Sequence, residues 1–458
     1  MKLDLFRQMV GNRNVAVLGV GISNVPLIRE LVTYGARVTA FDKKTADKLG
    51  DIYGELSSAG VRFELGDGYL ARLNGEYYDI IFKTPGIRYD LPELLAAKAA
   101  GSVVTSEMEV FFDLCPASII AVTGSDGKTT TTTLIYEMLK AAGHTVHLGG
   151  NIGAPLLDRV EFIAPEDLCV LELSSFQLHT MLVSPQAAVV TNITPNHLDM
   201  HKDMEEYVDA KRNIFAHQAG SGKVVLNYDN DITRSFAGEA RNAVFFSRLC
   251  DLEDGFCVSE DYIIFKEKGI IKEKILNIND IFIPGRHNVE NFLAAIAAVW
   301  GRVTVSDIVS VAKGFRGVPH RIEFVREVDG VRYYNSSIDS SPNRTKNTLS
   351  VFDEKLILIA GGKDKGIEYD GIGEVIASSV KILILIGATA GKIRADVIKT
   401  GKEIEMYECG TYEEVVALAK EKAARGDVVL LSPASTSFDM FDNFEQRGNK
   451  FKELVNNL

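Results

Sequence analysis

The chain has 458 residues, 46% of them hydrophobic and 24% charged, enough for roughly three domains of about 150 residues, each with a core of its own. Its 62 acidic residues outnumber 50 basic ones, giving a formal net charge of −12, which argues against a nucleic-acid or anionic-membrane partner and leaves anionic small molecules met by a few converging cations. Cys115, Cys169, Cys250, Cys257 and Cys409 form no C-x-x-C pair and no zinc-like spacing, and read as reduced thiols. The opening MKLDLFRQMVGNRN lacks the apolar core of about 7–15 residues of a signal peptide. No stretch approaches the ~20 apolar residues of a membrane span, so a cytoplasmic protein is expected.

Taken in order, the first hundred residues alternate short apolar runs with amphipathic stretches. NVAVLGV (14–20), ARVTAFD (36–42) and DIIFKTPGI (79–87) read as strands, and SNVPLIRELVTYG (23–35) as a helix stopped by glycine. Strand, helix, strand in this order implies a parallel sheet with crossover helices. The pattern restarts near Asp113–Pro116, which reads as a linker. In the middle third, strands are expected at SIIAVT (118–123), LCVLEL (168–173), AAVVTN (187–192) and KVVLN (223–227), with a helix from about Thr129 to Ala142. Residues 256–283 alternate like antiparallel hairpins and predict a small extra sheet, and HNVENFLAAIAAVWG (287–301) is a helix ending at Gly301. A third α/β pattern follows, with strands VRYYN (331–335), KLILIAGG (355–362), KILILIG (381–387) and DVVLLSP (427–433). The expected architecture is three α/β domains in series, spanning 1–112, 113–317 and 318–458.

The stretch 120–139, IAVTGSDGKTTTTTLIYEML, places a glycine loop between a buried strand and a helix. A strict phosphate loop reads G-x-x-x-x-G-K-[ST], but here Val122 stands where the first glycine belongs. Context restores the reading. A helix start carries unpaired N–H groups and about half a positive charge, which favours phosphate. Gly124 and Gly127 allow close approach, Lys128 supplies a cation, and the Thr129 hydroxyl can ligate Mg²⁺. A charge at the end of an apolar strand is costly unless partnered, so Glu172 is a second metal candidate, although a surface or salt-bridged glutamate is the plainer alternative. In TNITPNHLDMH (191–201), His197, Asp199 and His201 look like a metal cluster but equally like a loop and helix cap. Only His197, nearest the strand end, is assigned to the site.

Several strings together resemble the Mur ligases: GSDGKTT, GGNIG (149–153), LELSSFQL (171–178), TNITPNHLD (191–199), DAKRNIF (209–215), GRHNVENFLAA (285–295) and GVPHRIE (317–323). The truncated loop is the ordinary form in that family, and the likeness covers essentially the whole chain. LLSPASTSFDMFDNFEQRGNKF (430–451) is similar to the C-terminal signature of the branch that adds D-glutamate. The resemblance implies a Rossmann-like UDP-binding domain, a P-loop ATPase-like central domain and a Rossmann-like C-terminal domain. It further implies an ATP-dependent amide ligase of peptidoglycan precursor synthesis. Its substrates would be UDP-N-acetylmuramoyl-L-alanine and D-glutamate, its intermediate an acyl phosphate. A monomer is expected.

By the same resemblance, Gly124, Ser125, Asp126, Gly127, Lys128, Thr129 and Thr130 hold the ATP phosphates, with Asn288, Asn291 and Arg321 as further nucleotide contacts. Thr129 and Glu172 would ligate one Mg²⁺ and His197 a second. Lys211 matches a lysine carbamylated in this family, a modification that turns a cation into an anionic oxygen ligand; a plain helix-surface lysine is the alternative. Lys128, Glu172, His197 and Lys211 form the expected catalytic set. Ile22, Ser23, Asp42, Lys44, Gly86 and Asn151 are expected on the UDP-linked substrate; GVGISN (19–24) alone is a weak signal, because Asn24 stands at the third glycine position. Ser340, Lys365, Ser437, Phe438 and Phe444 are expected around D-glutamate. One departure stands out: NSSIDSSPNRT (335–345) has Ser336 where these ligases usually carry aspartate, and Asp339 three residues later has no assigned role. That departure keeps open a catalytically silent UDP-sugar sensor, and the shared ATPase core keeps open another amide ligase such as a folylpolyglutamate synthase.

Overall fold

The computed structural model describes residues 3–21, 23–196 and 200–458. The chain forms two compact units, one of Met1–Ile278 with Glu290–Val311 and the other of Asn279–Val289 with Ala312–Leu458.

The first unit contains two sheets. The five-stranded one comprises β1 (Asn14–Leu18), β2 (Arg37–Asp42), β3 (Arg62–Leu65), β4 (Ile80–Lys83) and β5 (Val103–Thr105), all parallel in the order β3-β2-β1-β4-β5. Val15 to Leu18 and Ile80 to Lys83 are buried without alternation, as expected of parallel strands covered on both faces. The helix Asn24–Thr33 closes one face through Val25, Leu27, Ile28 and Leu31.

The second sheet has nine strands: β6 (Ser118–Thr123), β7 (Val146–Gly150), β8 (Leu168–Glu172), β9 (Ala187–Val190), β10 (Lys223–Asn227), β11 (Ala243–Ser247), β12 (Gly255–Ser259), β13 (Tyr262–Glu267) and β14 (Ile270–Asn277). Their order is β14-β13-β12-β11-β10-β9-β6-β8-β7, so the carboxyl ends of β9, β6, β8 and β7 lie side by side. The antiparallel run expected over 256–283 is present as β12–β14, but it continues this sheet rather than forming a small one of its own. The reason is the parallel pairing of β12 with β11, Phe246 opposite Phe256 and Ser247 opposite Cys257, which leaves no break at which a second sheet could separate.

The helix Lys128–Ala141 begins with a run of threonines, whose β-branched side chains favour helix weakly. Two of them bond back along the helix, Thr132 Oγ1 to Lys128 O (2.8 Å) and Thr133 Oγ1 to Thr129 O (2.7 Å). Burial of Leu134, Ile135, Met138 and Leu139 supplies the stabilisation that propensity does not.

The second unit is built on β15 (Glu323–Val328), β16 (Val331–Asn335), β17 (Leu356–Ala360), β18 (Val380–Ile386), β19 (Glu405–Cys409) and β20 (Val428–Leu431), in the order β15-β16-β20-β17-β18-β19. Only β15 runs antiparallel. Apolar side chains cover both faces, Leu358, Leu383 and Leu430 on one, Ile357, Ile384 and Val429 on the other.

Candidate active site

The loop after β6 is fixed before any ligand arrives. Gly124 has φ +148°, and a Cβ there would lie 1.9 Å from Thr191 Oγ1; at Gly127, φ +77°, it would lie 2.3 Å from Asn291 Oδ1. Both positions therefore require glycine. Ser125 N donates to Asn192 O (2.8 Å), Asp126 N to Asn192 Oδ1 (2.9 Å), and Thr191 Oγ1 to Asp126 O (2.6 Å). The Ser125 hydroxyl is buried, donating to Thr194 O (2.9 Å) and bonded to the Tyr207 hydroxyl at 2.9 Å. Lys128 folds back from the helix start, its Nζ donating to Gly124 O (3.0 Å) and Ser125 O (2.8 Å). Thr129 and Thr130 follow in the first helical turn, both half-buried. An anion seated here would meet backbone N–H groups, the positive end of a 14-residue helix and one ammonium.

β8 runs beside β6 with Glu172 opposite Val122, which brings the carboxylate to the same sheet edge. Glu172 is 2% exposed; its Oε1 accepts from Asn151 Nδ2 at 2.8 Å, and its Oε2 has no hydrogen-bond partner among the described residues. A buried, unpartnered carboxylate oxygen is costly and is what a hard cation would satisfy, so the site fits Mg²⁺. Among the described residues no group of three His, Cys, Asp or Glu could cage a metal.

Lys211, on the helix Met204–Ala216, is 1% exposed. Its Nζ donates to Gly124 O (2.7 Å) and Thr123 Oγ1 (3.4 Å) and lies 4.7 Å from the centre of the Tyr207 ring. Burial, with the nearby Lys128 charge, pushes its pKa down to about 6, against the pull of Glu172 and Asp126. The amine is thus the free base at neutral pH. The helix-surface alternative is excluded by this burial.

His197 and Ile22 lie outside the described residues, as does Asp199. His201 is buried with Nε2 bonded to Ser175 Oγ (2.9 Å), its ring stacked on Phe176. Asn291 Oδ1 accepts from Thr131 Oγ1 at 3.3 Å, tying the helix Arg286–Val299 to the loop helix. Asn288, on the same helix, donates to Pro284 O (2.6 Å).

In the five-stranded sheet the strand order reverses between β1 and β4, and such switch points are where open α/β sheets bind ligands. Ser23 follows β1 at the start of the helix Asn24–Thr33 with no side-chain cap bond, and Gly86 follows β4. Asp42, at the end of β2, accepts from Val20 N (2.7 Å) and Lys44 N (2.8 Å), fixing the neighbouring loop; the Lys44 side chain is exposed. Asn151 sits apart from this group, against Glu172. Asn24, which stands at the third glycine position, donates from Nδ2 to Leu18 O (3.2 Å) and Gly19 O (2.9 Å) and so anchors the loop.

In the second unit, Lys365 Nζ lies 5.1 Å from the centre of the exposed Phe438 ring, and Lys363 N donates to Thr436 O (2.8 Å), so these two loops meet. Ser437 is buried, its carbonyl accepting from Met440 N (3.0 Å) and Phe441 N (2.9 Å). Phe444 stands with another group: its carbonyl accepts from Ser337 Oγ (2.8 Å) and its ring meets His320 edge-on. The residue linking both sets was missed. Arg447, 1% exposed, donates to Ser337 Oγ (3.0 Å), Ser337 O (2.8 Å) and Ser435 O (2.9 Å). Ser340 N donates to Ile338 O (2.8 Å) beside Asp339, and Arg321, whose charge acts on the Asp339 carboxylate, lies in the same unit.

A family model described as Mur ligase middle domain matches residues 122–299, and one described as Mur ligase, glutamate ligase domain matches 320–435. The chain is 56% identical to the UDP-N-acetylmuramoylalanine–D-glutamate ligase of Acetivibrio thermocellus and 55% identical to that of Ruminiclostridium cellulolyticum, over 100% of this chain and 99% of each relative. The fold is shared with UDP-N-acetylmuramate–alanine ligase MurC of Thermotoga maritima (TM-score 0.57, 18% identity, 97% of this chain and 99% of that one). It is also shared with the MurF ligase of the same organism (TM-score 0.55, 19% identity, 99% and 97%). End-to-end relatives at more than half identity and family models over the middle and C-terminal regions make the chain a member of the Mur ligase family, an ATP-dependent ligase.

Proposed function

We propose that the chain joins D-glutamate to UDP-N-acetylmuramoyl-L-alanine, converting ATP to ADP and phosphate, in peptidoglycan precursor synthesis. The observation that carries the reading is the convergence of Lys128, Glu172 and Lys211 on the Gly124 turn, joined to the named relatives. A carboxylate is a poor acyl donor. An oxygen of the L-alanyl carboxylate attacks the ATP γ-phosphorus, ADP leaves, and the resulting acyl phosphate is attacked by the D-glutamate amine, which loses a proton as phosphate departs. Each species is crowded with negative charge, so the protein's contribution is positioning and neutralisation.

In this reading Gly124–Thr130 cradle the phosphates, with Lys128 holding the transferred group, and Asn288, Asn291 and Arg321 contact the nucleotide. Thr129 and Glu172 would hold one Mg²⁺, and His197 with a carbamylated Lys211 a second; the ions would neutralise phosphate charge. The neutral Lys211 amine is the form that can add CO2, releasing a proton and leaving an anionic oxygen donor. Ile22, Ser23, Asp42, Lys44, Gly86 and Asn151 would contact the UDP-linked substrate, and Ser340, Lys365, Ser437, Phe438 and Phe444 the D-glutamate. The corresponding domain limits are 1–112, 113–317 and 318–458. A cytoplasmic setting fits the reading, since ATP is supplied there, and the proposed form is a monomer.

The test is ATP-dependent phosphate release with UDP-N-acetylmuramoyl-L-alanine and a panel of amino acids. Turnover confined to D-glutamate is expected. Turnover with a folate acceptor, or none with any acceptor while nucleotide still binds, would replace the reading with another ligase or a silent sensor.

A further inference from the structure

At the carboxyl end of β4, Lys83 is 4% exposed, yet its Nζ makes a single hydrogen bond among the described residues, a long one of 3.4 Å to Ile87 O. Glu109, on the helix Glu107–Leu114, is the nearest acidic influence, but it forms no ion pair with Lys83; its Oε2 instead accepts from Ser106 Oγ (2.9 Å) and Thr105 Oγ1 (3.4 Å). An ammonium with two of its three donors unused is expensive to bury, and burial lowers its pKa accordingly. Position matters as much as cost. Lys83 lines a narrow cleft together with Gly86 and Tyr89 on the side of the β1/β4 switch point, and Phe176, His179 and Met200 on the other. Phe176 belongs to the short helix Ser175–Leu178, which starts three residues after Glu172. His179 packs edge-on against Tyr89, with ring centres 4.5 Å apart.

The cleft thus lies on the path from the switch point to the sheet edge where Glu172 and the Gly124 turn meet. An acyl substrate anchored by its nucleotide at the first and delivering its carboxylate to the second passes through it. We propose that Lys83 is a specificity-determining residue for the acyl substrate, donating from its ammonium to an oxygen of the sugar-bearing segment between nucleotide and reacting carboxylate. The aromatic walls give that segment an apolar flank, and Lys83 gives it a polar anchor. The inference rests on the substrate assignment above.

The experiment compares the full-length wild type with Lys83→Met and Lys83→Gln. Steady-state kinetics are paired with calorimetric titration of UDP-N-acetylmuramoyl-L-alanine in the absence of ATP and D-glutamate. We expect a rise of tenfold or more in KM and Kd for the acyl substrate in Lys83→Met, a smaller rise in Lys83→Gln, and KM values for ATP and D-glutamate within twofold of wild type. The melting temperature of the unliganded variants should be unchanged or higher, since an under-bonded charge has been removed. An unchanged Kd for the acyl substrate in either folded variant, or a fall in melting temperature with no selective loss of that substrate, overturns the proposal and makes Lys83 a structural partner of Glu109. Absence of turnover in the wild type would instead overturn the ligase reading, while the titration still decides Lys83.

Discussion

The Lys211 side-chain nitrogen lies 2.7 Å from the carbonyl oxygen of Gly124, so the residue at the heart of the helix Met204–Ala216 touches the first residue of the phosphate-binding turn. One hydrogen bond therefore joins the site's most perturbed amine to its most constrained backbone position. A folded-state pKa of about 6, against an ordinary 10.5, means the unfolded chain binds the extra proton between those values. Stability should rise with pH across that window, because a buried amine is penalised only while charged. In CO2-free buffer the melting temperature of the wild type should climb from pH 6 to 9, and that of Lys211→Met should climb less. Lys211→Ala should lose turnover by at least a hundredfold, unrestored by bicarbonate and partly restored by short-chain carboxylic acids that supply the missing oxygens. Equal pH slopes would remove the claim of a neutral lysine, and full activity without rescue the claim of a carbamate.

Gly124→Ala tests the turn itself. The added methyl would lie 1.9 Å from Thr191 Oγ1 and 3.1 Å from the Asn192 carbonyl oxygen, at a φ of +148° that other residues rarely adopt. The Asn192 backbone cannot move without breaking the bonds that fix Ser125 and Asp126. A loss of about 2–4 kcal/mol in urea denaturation is expected, together with loss of ATP binding. Lys128→Ala should separate the two effects: turnover down by at least a thousandfold, stability within about 1 kcal/mol, because the half-buried ammonium donates to the carbonyls of Gly124 and Ser125, which water can serve in its place. Near-normal rates in Lys128→Ala would take the loop out of the chemistry.

The sequence made β1, β6, β8, β10 and β18 legible because strands buried on both faces read as unbroken apolar runs. The edge strands β3 and β19, half-buried or exposed, carry RFEL and EMYEC, and their pairing partners rather than their composition make them strands. The turn at Gly124 was readable from local chemistry. Lys83, Arg88 and Arg447 were not, since nothing in a sequence tells a buried or ion-paired cation from a solvated one. Arg88 acquires its role only when Asp90 and Glu206, 118 positions further on, close around it at 2.9 Å. Asn151, expected near the phosphates and acyl group of the UDP-linked substrate, donates from its side chain to Glu172, a contact that depends on β7 lying beside β8.

Glu172→Gln should distinguish a metal ligand from a structural carboxylate. Asn151 can keep a bond to the remaining oxygen, so the geometry at Oε1 survives. What is lost is the charge on the unpartnered Oε2. The unliganded variant should melt at or above the wild-type temperature, since a buried charge with one oxygen unpartnered has gone. Its Mg²⁺ requirement for turnover should rise at least tenfold, and turnover at saturating Mg²⁺ should fall by at least a hundredfold. A variant that is less stable but has an unchanged Mg²⁺ dependence would mark Glu172 as an anchor for Asn151 alone.

The carboxylate of Asp339 offers a test of the departure at NSSIDSSPNRT. It is buried, accepts from Thr348 Oγ1 and Ser432 Oγ at 2.7 Å each, and is hydrogen-bonded by Ser336. Burial raises its pKa, so one more charge nearby would be costly. Ser336 is itself fully buried, which means Ser336→Asp would set a second carboxylate against the first. That variant should lose about 2–4 kcal/mol of stability in urea. Asp339→Ala alone should lose about 1–3 kcal/mol, because three buried hydroxyls lose their acceptor. The double variant should be more stable than the sum of the single losses predicts, by about 1–3 kcal/mol, since one carboxylate then serves the pocket from position 336. Strict additivity would show that the two positions do not share a site, and Asp339 would then be an anchor for Thr348 and Ser432 with no connection to the missing aspartate.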